Sequence, residues 1–328
     1  MKILYAIQGT GNGHISRARD FIPALQERAD LDILISGTQF DVSLPQEIKY
    51  KFKGAGFIFG KNGGVDYYNT IKNFSPITLI NDIRKLDLKP YDFILNDFEP
   101  VSAWAGKLKK KKVIALSHQA SFLSKNTPRA NFKDSFTEGL FKNYAPSNLQ
   151  IAFHFEKYDT FINTPIIRKD IRSLTPTNLG HYTVYLPAYD DKLLIKYLST
   201  ISDVQWEVFS KWERKGYTDG NVKVLPVNNE AFNNSMATCE GLLTGGGFEA
   251  PAEALFLKKK VFVIPMFGQY EQACNAEAIR RLGVPVIQVL DSKTISNIHD
   301  WVKHGEVVNV DFPDNLEEVI GKIFGISS

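Results

Sequence analysis

The sequence predicts an α/β protein of two Rossmann-like units, each a parallel sheet wrapped by helices, facing one another across a cleft. Three observations carry this. The N-terminal half alternates short apolar runs with helical patterns, a proline-bearing polar break follows near residue 165, and the same alternation then begins again. A length of 328 residues agrees, being too long for one ordinary core and suited to two domains of roughly 150 residues.

In the first unit Lys2–Gln8 reads as a strand, Ile15–Arg28 as a helix and Leu31–Gly37 as the next strand, with Ile48–Lys53 a further one. Gly60–Tyr68, rich in glycine and aromatics, reads as an exposed loop near the ligand side. Pro76–Leu86 is a helix begun by Ser75, with the proline in its first turn. Asp92–Asn96, Val101–Leu108 and Lys112–Ser117 complete a strand, helix and strand. Asn163–Asp170, with Pro176 behind it, has linker character, so the domains are placed at 1–164 and 179–328 with a linker at 165–178. The second unit then gives Tyr182–Leu186, Asp190–Leu198, Gln205–Ser210, Val222–Leu225, Gly241–Leu243, Val261–Ile264 and Pro285–Val289.

Composition narrows the function. A formal charge of +3 over this length gives no electrostatic case for a nucleic-acid partner. Two cysteines, Cys239 and Cys274, are too few and too far apart for a disulfide scaffold or a zinc site and point to a reducing compartment. The apolar start is shorter than a signal-peptide core and no run approaches a membrane span, so a cytoplasmic location is expected. The run Lys107–Lys112, broken only by Leu108, reads as a solvated helix end or as a peripheral contact with anionic lipid at the inner membrane face; Lys258–Lys260 raise the same choice more weakly.

Ligands in such folds sit beyond the carboxyl ends of the strands. The first such place is Gln8-Gly9-Thr10-Gly11-Asn12-Gly13-His14. It fails as a dinucleotide fingerprint because His14 stands where the third glycine belongs, and it lacks the Lys-Ser/Thr of a P-loop. What remains is a flexible turn, Gly11, Asn12 and Gly13, that lets His14 project into the cleft as a general base; the alternative is a histidine that caps the helix or satisfies a buried carbonyl. Asp97, at the end of a strand in the same half, is placed to orient that base or else to cap the helix begun by Pro100; Glu99 is its like-charged neighbour. His118, after the strand ending at Ser117, is the second candidate base or a loop residue.

In the other half Leu242-Leu243-Thr244 runs into Gly245-Gly246-Gly247-Phe248-Glu249 and then a helix, a strand, turn and helix start whose backbone N–H groups suit a diphosphate. Glu249 and Glu253, four apart, share a helix face; they suit ribose hydroxyls or are ordinary first-turn acids. A second strand ends at Pro265 and is followed by Glu271, Gln272 and Asn275, hydrogen-bonding side chains where a sugar needs several partners.

Gly245-Gly246-Gly247-Phe248 with Glu253, then Pro265, then Glu271-Gln272-x-x-Asn275-Ala276, resembles the donor-site signature of GT-B glycosyltransferases, among them the UDP-glycosyltransferases and the peptidoglycan N-acetylglucosaminyltransferase. The Gly-x-Gly-x-Gly-His turn is similar to their acceptor-side loop. The resemblance implies the GT-B fold, with an acceptor-binding first domain and a donor-binding second. It also implies a last helix, Leu316–Phe324, that packs back across the cleft. It implies that Glu253 holds the nucleotide ribose, Gly245–Gly247 face the diphosphate, Glu271 and Gln272 bind the transferred sugar, and His14 is the base oriented by Asp97. Two positions depart from the pattern: Gly245 stands where many UDP-glycosyltransferases have a histidine, and Glu249 where they carry a small polar residue.

The expectation is an inverting transfer of a sugar from a nucleotide diphosphate sugar, UDP-linked, to a hydroxyl of a small-molecule, lipid or glycan acceptor, with no metal and no organic cofactor. Two rivals are a nucleotide-sugar 2-epimerase of the same fold, which would need no acceptor, and a non-catalytic nucleotide-sugar or carbohydrate-binding protein.

Overall fold

Two sheets organise the chain, as seen in a computed structural model that describes residues 1–10, 12–39, 44–54 and 75–327. The first is built from β1 (Lys2–Thr10), β2 (Asp30–Gln39), β3 (Tyr50–Phe52), β4 (Phe93–Asp97), β5 (Val113–Ser117), β6 (Leu149–Phe153) and β7 (Ile162–Asn163). Its order is β3-β2-β1-β4-β5-β6-β7 and every pairing is parallel. Between these strands run α1 (Asn12–Gln26), α2 (Pro76–Lys85), α3 (Pro100–Leu108), a 3-10 turn at Gln119–Leu123 and α4 (Ser135–Asn143).

A short helix, α5 (Lys169–Arg172), lies in the proline-bearing break, where Ile166, Ile167 and Ile171 are buried. The second sheet follows, with β8 (His181–Tyr185), α6 (Asp191–Leu198), β9 (Gln205–Ser210), β10 (Tyr217–Asp219), β11 (Val222–Pro226), α7 (Asn229–Thr238), β12 (Gly241–Thr244), α8 (Glu249–Phe256), β13 (Lys260–Val263) and α9 (Tyr270–Arg281). Its order is β10-β11-β9-β8-β12-β13, and only the β10 hairpin is antiparallel. Helices α10 (Ile295–His304) and α11 (Leu316–Ser327) close the chain. The expected strand Pro285–Val289 shrinks to a single bridge, Val263 with Val286. Pro285 has no N–H, and the segment lies outside β13 at the margin of the sheet, so it gives up only Pro285 O and Ile287 N–H to Val263. The expected loop Gly60–Tyr68 lies outside the described residues.

Caps explain where several helices begin. Ser75 Oγ accepts from Thr78 N–H at 3.3 Å, with Pro76 in the first turn of α2. Glu99 accepts from the N–H groups of Val101 and Ser102 at 2.7 and 2.6 Å, so α3 is capped by Glu99 and Asp97 is left for another use. One apolar core runs across both sheets, joining Ile15, Phe21 and Phe153 to Phe248, Ala252 and Ile320. A second, around Trp206, Tyr182 and Trp301, belongs to the second sheet. Helix α11 lies on the first unit: Phe324 meets Phe93 edge-on, and Lys322 Nζ donates to Asn163 Oδ1 at 2.7 Å. Among the described residues, no helix is long and apolar enough to cross a membrane.

Both sheets reverse their strand order beside the first strand, between β1 and β4 and between β8 and β12. Such reversals open a crevice at the carboxyl ends of the two strands. The residues beyond β1, β4, β8 and β12 are therefore the ones the fold gathers.

Candidate active site

His14 and Asp97 meet at the first reversal. β1 and β4 are paired with Ile7 opposite Asp97, so the turn after β1 delivers the start of α1 to the end of β4. His14 Nδ1 lies 2.8 Å from Asp97 Oδ1, and the His14 side chain keeps 14% of its surface exposed while Asp97 has none. Donation from Nδ1 fixes the tautomer and leaves the Nε2 lone pair for a ligand. The chain leaves Asp97 through Phe98, a bulky residue at φ 53°. Left-handed backbone at such a residue is held by its surroundings, here the ring of Tyr144 at 4.8 Å.

Arg17, one helical turn after His14, completes the group. Its Nη2 donates to both oxygens of Asp97 at 2.7 and 2.8 Å, and its Nη1 to Glu249 Oε1 at 2.8 Å. The guanidinium is 2% exposed. Burial alone would raise the Asp97 carboxyl, but the charges of Arg17 and His14 and their hydrogen bonds hold it below its ordinary value. Glu249 goes the other way: burial, reinforced by Glu253 one turn on, pushes it up to about 7 against the pull of Arg17.

At the second reversal the turn after β12 borders a pocket of about 300 Å³ lined by Gly13, Tyr185, Lys211, Gly247, Glu249 and Gln272 among others. The three glycines divide their roles. Gly245 N–H is bonded to Tyr185 O at 3.3 Å and Gly246 N–H to Gln272 Oε1 at 3.0 Å. Gly247 has open space around it and lines the pocket. The start of α8 has no side-chain cap, which leaves its first N–H groups to solvent or ligand.

Gln272 and Asn275 brace this turn. Gln272 Oε1 accepts from Met266 N–H as well as from Gly246, and Asn275 Nδ2 donates to Gly246 O at 3.1 Å. Glu271 faces the cleft beside the first unit, accepting from Gln119 Nε2 at 3.1 Å, and burial raises its carboxyl.

Two expected site residues, His118 and Glu253, sit elsewhere than the sequence suggested. His118 is buried, its Nδ1 2.9 Å from Phe153 O and its Nε2 2.8 Å from Asn275 Oδ1, with Phe248 stacked flat on it at 4.0 Å. Both ring nitrogens are engaged and burial lowers the imidazole to about 4, so His118 is a bridge between the units and not a base or an acceptor contact. Phe248 is the other half of that bridge, packed on His118 and Phe155, and it also lines the donor-side pocket as expected. Glu253 is buried and gives both oxygens to Arg168, at 2.6 and 2.9 Å, so its carboxylate is committed to the break between the sheets. Gly11 and the side chain of Asn12 lie outside the described residues.

Sequence reasoning passed over Arg17, Lys211, Gln119 and Arg168. A signal for Arg17 was present, since it stands three residues after His14 on a helix and so on the same face. The others are placed by tertiary structure alone. Both lysine runs are partly tied down: Lys258, Lys259 and Lys260 donate to Val310 O, Cys239 O and Glu240, and Lys109 and Lys111 to Leu86 O and Tyr91 O. Lys107, Lys110, Lys111 and Lys112 also line a cavity of about 690 Å³ at the amino ends of β5 and β6, the end of the sheet opposite the cleft.

The sequence matches the family described as "Glycosyl transferase family 1" over residues 1–304. The chain belongs to that family. It is a glycosyltransferase of the GT-B architecture. Among solved structures it is similar to UGT89C1 of Arabidopsis thaliana in complex with UDP, at 13% identity and a TM-score of 0.61, covering 98% of this chain and 99% of that one. Phytolacca americana UGT2, complexed with UDP-2fluoro-glucose and pterostilbene, gives 12% identity, a TM-score of 0.60 and coverage of 99% and 93%. MurG of Acinetobacter baumannii gives 11%, 0.58 and 99% of both chains. No curated protein matches the sequence.

Proposed function

We propose that this glycosyltransferase performs an inverting transfer from a UDP-sugar to a hydroxyl acceptor, with His14 as general base. The observation that carries the reading is the 2.8 Å contact of His14 Nδ1 with buried Asp97, which commits Nδ1 and leaves Nε2 of this partly exposed ring to take a proton. A UDP donor is supported by the similar structures whose descriptions name UDP or a UDP-sugar.

In this scheme the acceptor O–H gives its proton to His14 Nε2 as its oxygen attacks the anomeric carbon. The bond from that carbon to the diphosphate breaks, and the leaving charge is met by the open N–H groups at Gly247 and the start of α8 and by Lys211. Lys211 offsets the missing histidine at Gly245. Glu271 and Gln272 border the sugar, and Asp97 steadies the imidazolium without taking its proton.

The test is to supply an α-linked UDP-sugar with a panel of acceptors and determine the anomeric configuration of the product by NMR. A β-linked product is expected. A retained α-linkage overturns the inverting scheme, and epimerised donor formed without acceptor overturns the transfer itself.

A further inference from the structure

Arg17 is the only cation that the described residues place between the two turns as a buried bridge: Asp97 on β4 and Glu249 on α8 hang from one guanidinium. The two carboxylates come from opposite sides of the cleft. Asp97 Oδ1 accepts from His14 and from Arg17 at once, at 2.8 and 2.7 Å, so the charge that orients the base is the charge that holds Arg17. The other groups facing this assembly are Glu253 one turn along α8 and the Arg168 that holds it, Tyr5 from β1, Glu271 from α9 and, beyond it, His118.

Glu249 lines the donor pocket. A diphosphate bound there places two or more negative charges beside a carboxylate, which in a poorly hydrated cleft is strongly unfavourable. The repulsion is relieved when Glu249 takes a proton from solvent, since a protonated carboxyl still offers Arg17 an acceptor oxygen. Arg17 then turns more of its charge to the diphosphate and Asp97.

We propose that Arg17 is a positioning residue for the transfer reaction and that, with Glu249, it forms a proton-linked bridge through which donor occupancy reaches the His14–Asp97 pair. The proposal rests on the donor pocket assigned above. It explains why a glutamate stands at a diphosphate site: its proton is the adjustable element, and Arg17 is the wire between donor and base.

The experiment uses the full chain and titration calorimetry with UDP at pH 8 in two buffers of different ionisation heat, with uridine as the control lacking phosphates. Wild type is expected to take up about half a proton or more per UDP and none with uridine. Glu249→Gln, which keeps the shape and the acceptor oxygen, is expected to bind UDP at least as tightly with that uptake lost. Arg17→Lys keeps the charge but cannot span both carboxylates; it should retain UDP binding while the acid limb of its transfer rate moves to a different pH. UDP binding by wild type without proton uptake, or uptake that survives in Glu249→Gln, overturns the bridge while leaving the donor pocket intact. Failure of wild type to bind UDP at all overturns the donor assignment and the bridge with it.

Discussion

Each glycine-rich turn lies beside the reversal in its own sheet, but on opposite strands of it, the first after β1 and the second after β12. The first turn ends in His14 and Arg17, charged side chains tied to a buried carboxylate. The second ends in Gly247 and Phe248, open backbone braced from behind by Gln272 and Asn275. On the proposed mechanism, one fold supplies reacting groups where its turn carries side chains and a cradle where its turn carries N–H groups. The two halves then separate into chemistry and binding, joined through Arg17 and Glu249.

The sharpest way to break that division is His14→Ala. Loss of a general base lowers the rate by roughly 10³-fold, and UDP affinity by calorimetry should stay at the wild-type value because His14 is not among the residues lining the donor pocket. A parallel loss of UDP binding would show that the His14 side chain also holds the donor, beside Gly13 of the same turn. The mirror experiment is Gly246→Ala. A Cβ there would sit 2.6 Å from Gln272 O and 3.0 Å from Gln272 Cβ, so the brace must shift. Overpacking of this kind costs about 1–3 kcal/mol, read as a lower Tm and a UDP affinity weaker by about tenfold or more. The His14–Asp97 pair lies in the other unit and should keep its pH profile.

Much of this arrangement was legible in the sequence, and what was not has a common physical cause. The alternation of apolar runs with helices gave both sheets, and strand–glycine–helix junctions located both turns, because those patterns depend on neighbours along the chain. His14 with Asp97 was legible because parallel strand ends gather predictable residues. Asp97 as orienter could not be told from Asp97 as cap until Glu99 was seen capping α3. Glu253 and His118 were misplaced because each is captured by a partner far along the chain, Arg168 at 85 residues and Asn275 at 157. Buried charges and imidazoles take whichever partner the tertiary fold brings, and no local spacing encodes that.

A pH experiment sharpens the account of Glu249. Its folded-state value of about 7 stands above the ordinary 4.5, so the native state binds the proton more tightly than the unfolded chain does. The group's favourable contribution is therefore fully present below about pH 4.5 and is lost as pH rises to about 7. The Glu249 side chain is 22% exposed. The loss is of the order of 3 kcal/mol. Glu249→Gln cannot lose a proton, so its Tm relative to wild type should rise between those limits and level off above them. A difference in Tm that is flat with pH would mean that Glu249 is ionised throughout, held so by Arg17.

A smaller effect concerns one lysine from each run. Lys110 and Lys258 both follow a helix end in left-handed backbone, at φ 55° and 58°, a place where glycine is favoured. Relief of that conformation in Lys110→Gly should stabilise the protein by about 0.5–1 kcal/mol, after the entropy glycine gains on unfolding is deducted. Lys258→Gly gains less, because Lys258 Nζ gives up its bond to Val310 O at 3.1 Å. Lys110 only borders the open cavity at the far end of the first sheet, so its side chain holds nothing together there. Thermal melts of the two variants, expected to differ in that order, measure the difference. If Lys110→Gly is the less stable of the two, Lys110 is anchored in the cavity wall as firmly as Lys258 is anchored to the chain.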